Sequence, residues 1–365
     1  MVGDSPYHEL TEGQRQIYQT TAEVYQEYLE NLRQALAFKG GMHWKKIRGR
    51  EYLYRYRDRF GHGESLGPRS EHTERLFRDF SRERQEIADR LRDLRFRLAE
   101  QARFCRAALI HRMPRTACLI LRRLEQHSPG RNLLVIGATA IYAYEFAAGV
   151  FLKNWWGGPP CPPNSPHRRN KESFQRESGA PDLLADAHRR LILAGEGKIS
   201  WEELLRVLQQ ADRSFAALPG EGCRAVNQDG FLVCLAKSEI RRPGRTKAVM
   251  VPGAREPLPP EAGHLQYLLN SPRFSQVVIG RDGRPATLVT PDPWAFALNK
   301  LWWSGQEDRE PKARARDRSQ ALAVAGLVLR YLPQYDFSTS ELDMFPQELK
   351  PDTEEIEEMG SIEEF

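Results

Sequence analysis

Apolar positions recur at spacings of seven and four along residues 11–38: Ile17, Val24, Tyr28, Leu32 and Leu36. That spacing predicts an amphipathic helix, which Lys39-Gly40-Gly41 ends. The period then falls to two. Tyr52, Tyr54 and Tyr56 alternate with Leu53, Arg55 and Arg57. This predicts a β-hairpin over 42–67 with its tyrosines on one face, turning at Asp58-Arg59-Phe60-Gly61-His62-Gly63. From Ser70 to about Met113 the pattern is helical again, and Phe80, Ile87, Leu91, Leu94 and Leu98 form a heptad-like seam. The seam is short and the first helix carries a similar stripe, so an intramolecular antiparallel pair is expected rather than an extended coiled coil. Pro114 interrupts, and a further helix is expected from Thr116 to Gln126.

Ser128-Pro129-Gly130 marks a boundary, beyond which the pattern becomes α/β. Leu133–Leu152 is 20 residues with a single charge, Glu145, a length that spans a bilayer. Gly137, Gly149 and the carboxylate argue against that reading. The stretch divides into a β-type run (Leu133 to Ile136), a glycine break and a helical run. Lys153–Gly179, rich in Pro, Gly, Asn and Ser, reads as a long exposed loop. A helix is expected over Trp201–Ala211 with Ser200 as its N-cap, and strands over Gly230–Ala236 and Ser275–Ile279. Helices are expected over Pro293–Trp303 and Arg316–Tyr331. The fold class expected is α+β. Residues 1–128 form N-terminal helices with the hairpin, 129–290 a mixed-sheet domain holding the 153–179 loop, 291–335 a helical C-terminal subdomain, and 336–365 a disordered acidic tail.

Hydrophobic residues make up 40% of the 365 and charged residues 28%, which excludes a fully disordered chain, a collagen and a multi-span membrane protein. The net charge of +5 is unevenly spread. Asp336–Phe365 holds 11 acidic residues against one basic, so the preceding 335 residues carry about +15. A basic body suits an anionic partner such as nucleic acid or nucleotide, or is simply an Arg-rich solvated surface. The five cysteines include no C-x-x-C pair and imply neither a disulfide framework nor a structural zinc site. No charged and apolar leader opens the chain, so a cytoplasmic protein is expected. The scattered histidines lack ligand spacing, and G-x-S-x-G, H-E-x-x-H and Walker-type motifs are absent from the sequence.

Leu133-Leu134-Val135-Ile136-Gly137-Ala138-Thr139-Ala140-Ile141-Tyr142-Ala143-Tyr144-Glu145, Pro181-Asp182-Leu183-Leu184-Ala185-Asp186 and Asn227-Gln228-Asp229-Gly230-Phe231-Leu232-Val233-Cys234-Leu235 together resemble the bacterial nucleotidyltransferase-fold proteins of the DNA-polymerase-β-like superfamily. Their group carries a "GTNALYAYE"-type motif and a "DIDLL"-type strand. Ser65-Leu66-Gly67-Pro68-Arg69-Ser70 resembles its "SLGPRS" element, Pro291–Trp302 its "DPxxFALHKLW" helix, and Arg316–Ala321 its "RDxxQA" helix. The resemblance covers roughly residues 40–335. It implies a nucleotidyltransferase-like mixed sheet, a nucleoside triphosphate as substrate or ligand, and Mg²⁺ in an active enzyme.

At such a site a strand ends at a glycine, which lets the backbone approach a phosphate, and a helix begins. Gly137, Ala138 and Thr139 are the candidates. The family pattern then places two carboxylates at i and i+2 of one strand and a third on a neighbouring strand, holding two divalent ions. Here the second carboxylate is Asp182, while the first position falls on Ala180 and the third, in the "GFMVDL"-type strand, on Cys234. A thiol suits Mg²⁺ poorly. Asp186, four residues from Asp182, lies roughly 13 Å away along a strand; Glu177 in the loop is a remaining candidate, and Asp229 points elsewhere. Lys300, Arg314, Arg316 and Asp317 match family positions near the triphosphate or in the packing between subdomains, and Trp302 and Trp303 read as core.

Seven basic residues lie between Lys45 and Arg59: Lys45, Lys46, Arg48, Arg50, Arg55, Arg57 and Arg59. Such strands stack bases and pair phosphates, or else pack their tyrosines on the helices and leave the arginines in water. Three functions therefore compete. The first is a nucleotidyltransferase-fold protein binding nucleotide or nucleic acid, its metal-dependent transfer weakened or lost. The second is an active enzyme transferring a nucleoside monophosphate to an RNA or protein hydroxyl through Asp182 and Mg²⁺. The third is an adaptor that binds RNA or DNA through the basic hairpin. No membrane partner is expected.

Overall fold

The computed structural model describes residues 7–57, 62–127, 133–152, 190–195, 200–218, 223–237, 265–307 and 309–335. In chain order the elements are β1 (Tyr7–Glu9), α1 (Glu12–Leu36), β2 (Gly41–Ile47), β3 (Arg50–Tyr56), β4 (Gly63–Pro68), α2 (Glu71–Ala107) and α3 (Arg115–His127). Then come β5 (Leu134–Ile136), α4 (Ile141–Ala148), β6 (Val150–Leu152), β7 (Arg190–Gly195), α5 (Trp201–Ala211), β8 (Ala216–Ala217), β9 (Arg224–Val226) and β10 (Leu232–Lys237). Last are α6 (Leu265–Asn270), β11 (Arg273–Ile279), β12 (Pro285–Pro291), α7 (Pro293–Ser304) and α8 (Pro311–Tyr331). Helices and mixed sheets together make an α+β fold. One compact unit takes residues 17–104, the other residues 1–16 and 105–365.

In the 17–104 unit the middles of the stripes read from the sequence pack, while Leu36 at the end of the first is exposed. Val24 and Tyr28 of α1 and Leu91 and Leu94 of α2 are buried. The helices run antiparallel, since Thr21 hydrogen-bonds Gln101 while Glu27 pairs with Arg90 and Arg97. Ser70 and Thr73 cap α2 reciprocally, the Ser70 amide donating to the Thr73 hydroxyl at 2.9 Å and the Thr73 amide to the Ser70 hydroxyl at 3.3 Å. The predicted hairpin is a three-stranded antiparallel sheet, β2-β3-β4. The additional turn is Arg48-Gly49, where both residues have positive φ, 47° and 83°, the geometry of a tight hairpin turn. The predicted 58–63 turn joins β3 to β4, its residues 58–61 lying outside the described set.

In the larger unit, α2 ends at Ala107, short of the expected Met113. Leu109 adopts φ 59° and the Ile110 amide closes back on the Cys105 carbonyl. The chain then turns onto β11, where the Arg112 and Met113 amides both donate to Ile279 O; that pairing outweighs helical propensity. The main sheet has the order β5-β7-β10-β9-β8. β7 is parallel to β10 and antiparallel to β5. β11 and β12 form a separate hairpin. Leu133–Leu152 opens with the predicted strand and helix, but Gly149 ends the helix and Val150–Leu152 forms a further strand, β6, that was not expected; none of the helices among the described residues is long and apolar enough to cross a membrane. α5 is capped by Ser200 Oγ, which accepts from the Glu203 amide at 3.1 Å. Asp292 caps α7, accepting from the Trp294 amide at 2.8 Å. α8 begins at Pro311 rather than at Arg316, because proline's fixed φ suits the first helical position. The 153–179 loop and the 336–365 tail lie outside the described residues.

Candidate nucleotide site

β5 delivers the chain to Gly137, whose φ of 76° strains any residue bearing a Cβ. A 3₁₀ turn over Ala138–Ala140 follows and runs into α4. Ala138 and Thr139 are buried. The Thr139 hydroxyl donates to the Arg190 carbonyl at 3.4 Å, so it ties the glycine bend to the first residue of β7. Gly137, Ala138 and Thr139 therefore stand beside the start of β7.

The strand register sets out the rest. Ile136 pairs with Ile192, Ile192 with Cys234, and Cys234 with Arg224 on β9. Directly opposed residues point to the same face, so one row runs from the glycine bend across β7 to the thiol and on to a guanidinium. With neighbouring strands about 4.8 Å apart, Cys234 lies roughly 10 Å from the β5 end of the row. Both Cys234 and Arg224 are buried. The strand expected beside Cys234 was the one carrying Ala180 and Asp182. Those two residues, with Glu177 and Asp186, lie outside the described set, and the described strand at that place is β7, Arg190–Gly195. Asp229 is exposed in the β9–β10 turn, directed away from the row as its spacing indicated.

Arg224 was not singled out from the sequence. The signal was present: Asn227-Gln228-Asp229-Gly230 between two apolar runs is a hairpin turn, and folding it back puts Arg224 opposite Cys234. Asn227 shapes that turn, its side-chain oxygen accepting from the Phe231 amide at 2.7 Å and its amide donating to Asp212 at 2.9 Å. Hydrogen bonds from Ser214 and Asn227 hold the Asp212 carboxyl below its ordinary range.

Glu145, the residue that interrupts the apolar 133–152 stretch, is fully buried. It accepts from the Leu152 amide at 2.8 Å and from Arg112 at 3.0 Å, and Arg112 lies 4.5 Å above the Phe151 ring. Burial raises the Glu145 carboxyl above its usual range, against the lowering pull of Arg112 and the Leu152 amide. Glu145 thus anchors β6, the last described strand before residue 153.

Lys300 and Asp317 are buried, and the Lys300 amine sits 2.8 Å from Asp317, whose other oxygen meets Arg309 at 2.5 Å. The Lys300–Asp317 pair joins α7 to α8. Arg314 and Arg316 are half-buried on the first turns of α8. Trp302 and Trp303 are half-buried rather than core; Arg309 stacks 5.2 Å over Trp303.

The six basic candidates of the N-terminal sheet separate by pleat. Lys45 and Arg50 share the face of Tyr52, Tyr54 and Tyr56, whereas Lys46 and Arg55 take the other face. Arg48 sits in the turn and Arg57 pairs with Glu64 at 3.4 Å. The packing alternative is reversed. Leu53 is the fully buried residue of β3, Trp44 meets Phe77, and Arg55 donates to the Ala37 carbonyl, so the helices cover the face opposite the tyrosines.

A glycine bend feeding a helix, beside a mixed sheet with a parallel central pair, defines an α+β protein of nucleotidyltransferase-like architecture. Residues 176–345 match the family described as Nucleotidyltransferase, a span that takes in β7 through α8. Match and architecture together support a nucleotidyltransferase-fold protein. Neither the curated proteins nor the solved structures include a match to this chain.

Proposed function

We propose that this protein binds a nucleotide through its phosphates at the mixed sheet and that its metal-dependent nucleotidyl transfer is weakened or lost. The observation that carries the reading is the register of β9 on β10, which sets the buried Arg224 opposite Cys234. Cys234 occupies the position where the resemblance expects the third carboxylate. Mg²⁺ takes oxygen ligands in near-octahedral geometry, and a thiol is a soft donor. A cationic residue directly opposite disfavours a dication rather than assisting it. These two residues do not fit the ion. They suit an anion better, since a buried guanidinium forms short, paired hydrogen bonds to phosphate oxygens.

Calorimetric titration with nucleoside triphosphates, in EDTA and again in Mg²⁺, tests the reading together with α-labelled transfer assays. Binding of equal strength in both buffers, weakened in Arg224→Gln, is expected. Mg²⁺-dependent labelling of an acceptor that Asp182→Ala abolishes would overturn it in favour of the active enzyme.

A further inference from the structure

The N-terminal sheet separates its charges by pleat. The face of β3 that carries Tyr52, Tyr54 and Tyr56 also carries Arg50, and the register adds His43 and Lys45 from β2. The acidic residues of these strands, Glu51 and Glu64, fall on the opposite parity. There Glu51 is paired with Arg69 and Glu64 with Arg57. Among the described residues of the three strands, the tyrosine face bears cations and no carboxylate.

The rings tile that face. Tyr54 and Tyr56 lie 6.2 Å apart and within 24° of parallel, His43 stands 5.9 Å from Tyr56, and the Lys45 amine is 5.4 Å over Tyr54. The three tyrosines are half-buried, while His43, Lys45 and Arg50 are exposed. A row of π-faces edged by ammonium and guanidinium groups matches a polymer of flat bases strung on phosphates. A duplex hides its base faces in its own stack, so the matching form is the single strand. We propose that the tyrosine face of β2-β3-β4 binds single-stranded nucleic acid by stacking bases on Tyr54 and Tyr56, with Lys45 and Arg50 on the phosphates. This surface belongs to the 17–104 unit and does not depend on the nucleotide site.

Fluorescence anisotropy of the full chain with a labelled oligo-U strand, an oligo-dT strand and a duplex of the same length tests it. Single strands should bind more tightly than the duplex. Each aromatic-to-alanine change, Tyr54→Ala or Tyr56→Ala, should loosen binding by roughly tenfold, and Tyr54→Phe should keep it. Lys45→Gln with Arg50→Gln should make the slope of log K against log salt shallower by about 1.4, the value for two phosphate contacts on a single strand. Arg224→Gln should leave strand binding unchanged and Tyr54→Ala should leave nucleotide binding unchanged, which separates this surface from the sheet site. Equal affinity for the duplex, an unaltered Tyr54→Ala variant with native circular dichroism, or a salt slope indifferent to Lys45 and Arg50 would each overturn the proposal.

Discussion

Asp317 is the strongest lever on stability in the larger unit. Its two oxygens neutralise Lys300 at 2.8 Å and Arg309 at 2.5 Å, and all three side chains are buried. At an effective dielectric near 20, each contact is worth about 6 kcal/mol of Coulomb attraction, offset by several kcal/mol of desolvation per ion. Asp317→Ala leaves two cations buried with no counter-charge, which should cost about 3–5 kcal/mol. Lys300→Met keeps the Asp317–Arg309 pair and fills the space with a side chain of similar length, so its cost should be about 1–2 kcal/mol. Urea unfolding followed by circular dichroism measures both, and thermal melting should show Asp317→Ala lowered by roughly 5–9 °C. If Lys300→Met costs as much as Asp317→Ala, or if either costs less than about half a kcal/mol, the charge-balance reasoning fails.

Further expectations follow from other buried groups. The native Glu145 carboxyl holds its proton to higher pH than the unfolded chain, whose value is 4.5. The stability advantage of wild type over Glu145→Gln should therefore be largest near pH 4 and shrink toward pH 7, as urea titrations at about those two values would show; a growing advantage contradicts the burial argument. Burial pushes the Cys118 thiol up to about 12, so native protein should leave Cys118 unlabelled by iodoacetamide at pH 8 and label it after unfolding, read by peptide mass. Removing the N-cap hydroxyl in Ser200→Ala should cost about 1 kcal/mol in the same urea assay, and an unchanged midpoint would deny the cap any role.

Much of the fold was legible along the chain because its signals are local. The stripe of Val24 and Tyr28, the Ser200 cap and the glycine break at 137 each act within a few residues. The even spacing of Tyr52, Tyr54 and Tyr56 was legible in the same way. Less legible were the short strands, such as β7, β8 and β9, because runs of two to six residues carry too few periods to separate strand from loop. The end of α2 was also missed, since the pull of β11 on Arg112 and Met113 comes from about 170 residues away in sequence.

The site divides along the same line. Residue identities alone determined that a cysteine stands in the apolar run 230–235 and that a basic, tyrosine-rich segment precedes it in the chain. Only tertiary structure decided that Arg224 faces Cys234, that Lys300 and Arg309 are committed to Asp317, and that the helices cover Leu53 and not the tyrosines. Side-chain periodicity says which residues share a face. Which face is covered, and which charge meets which, depends on strand register and on helices brought from elsewhere in the chain, and no local pattern encodes either.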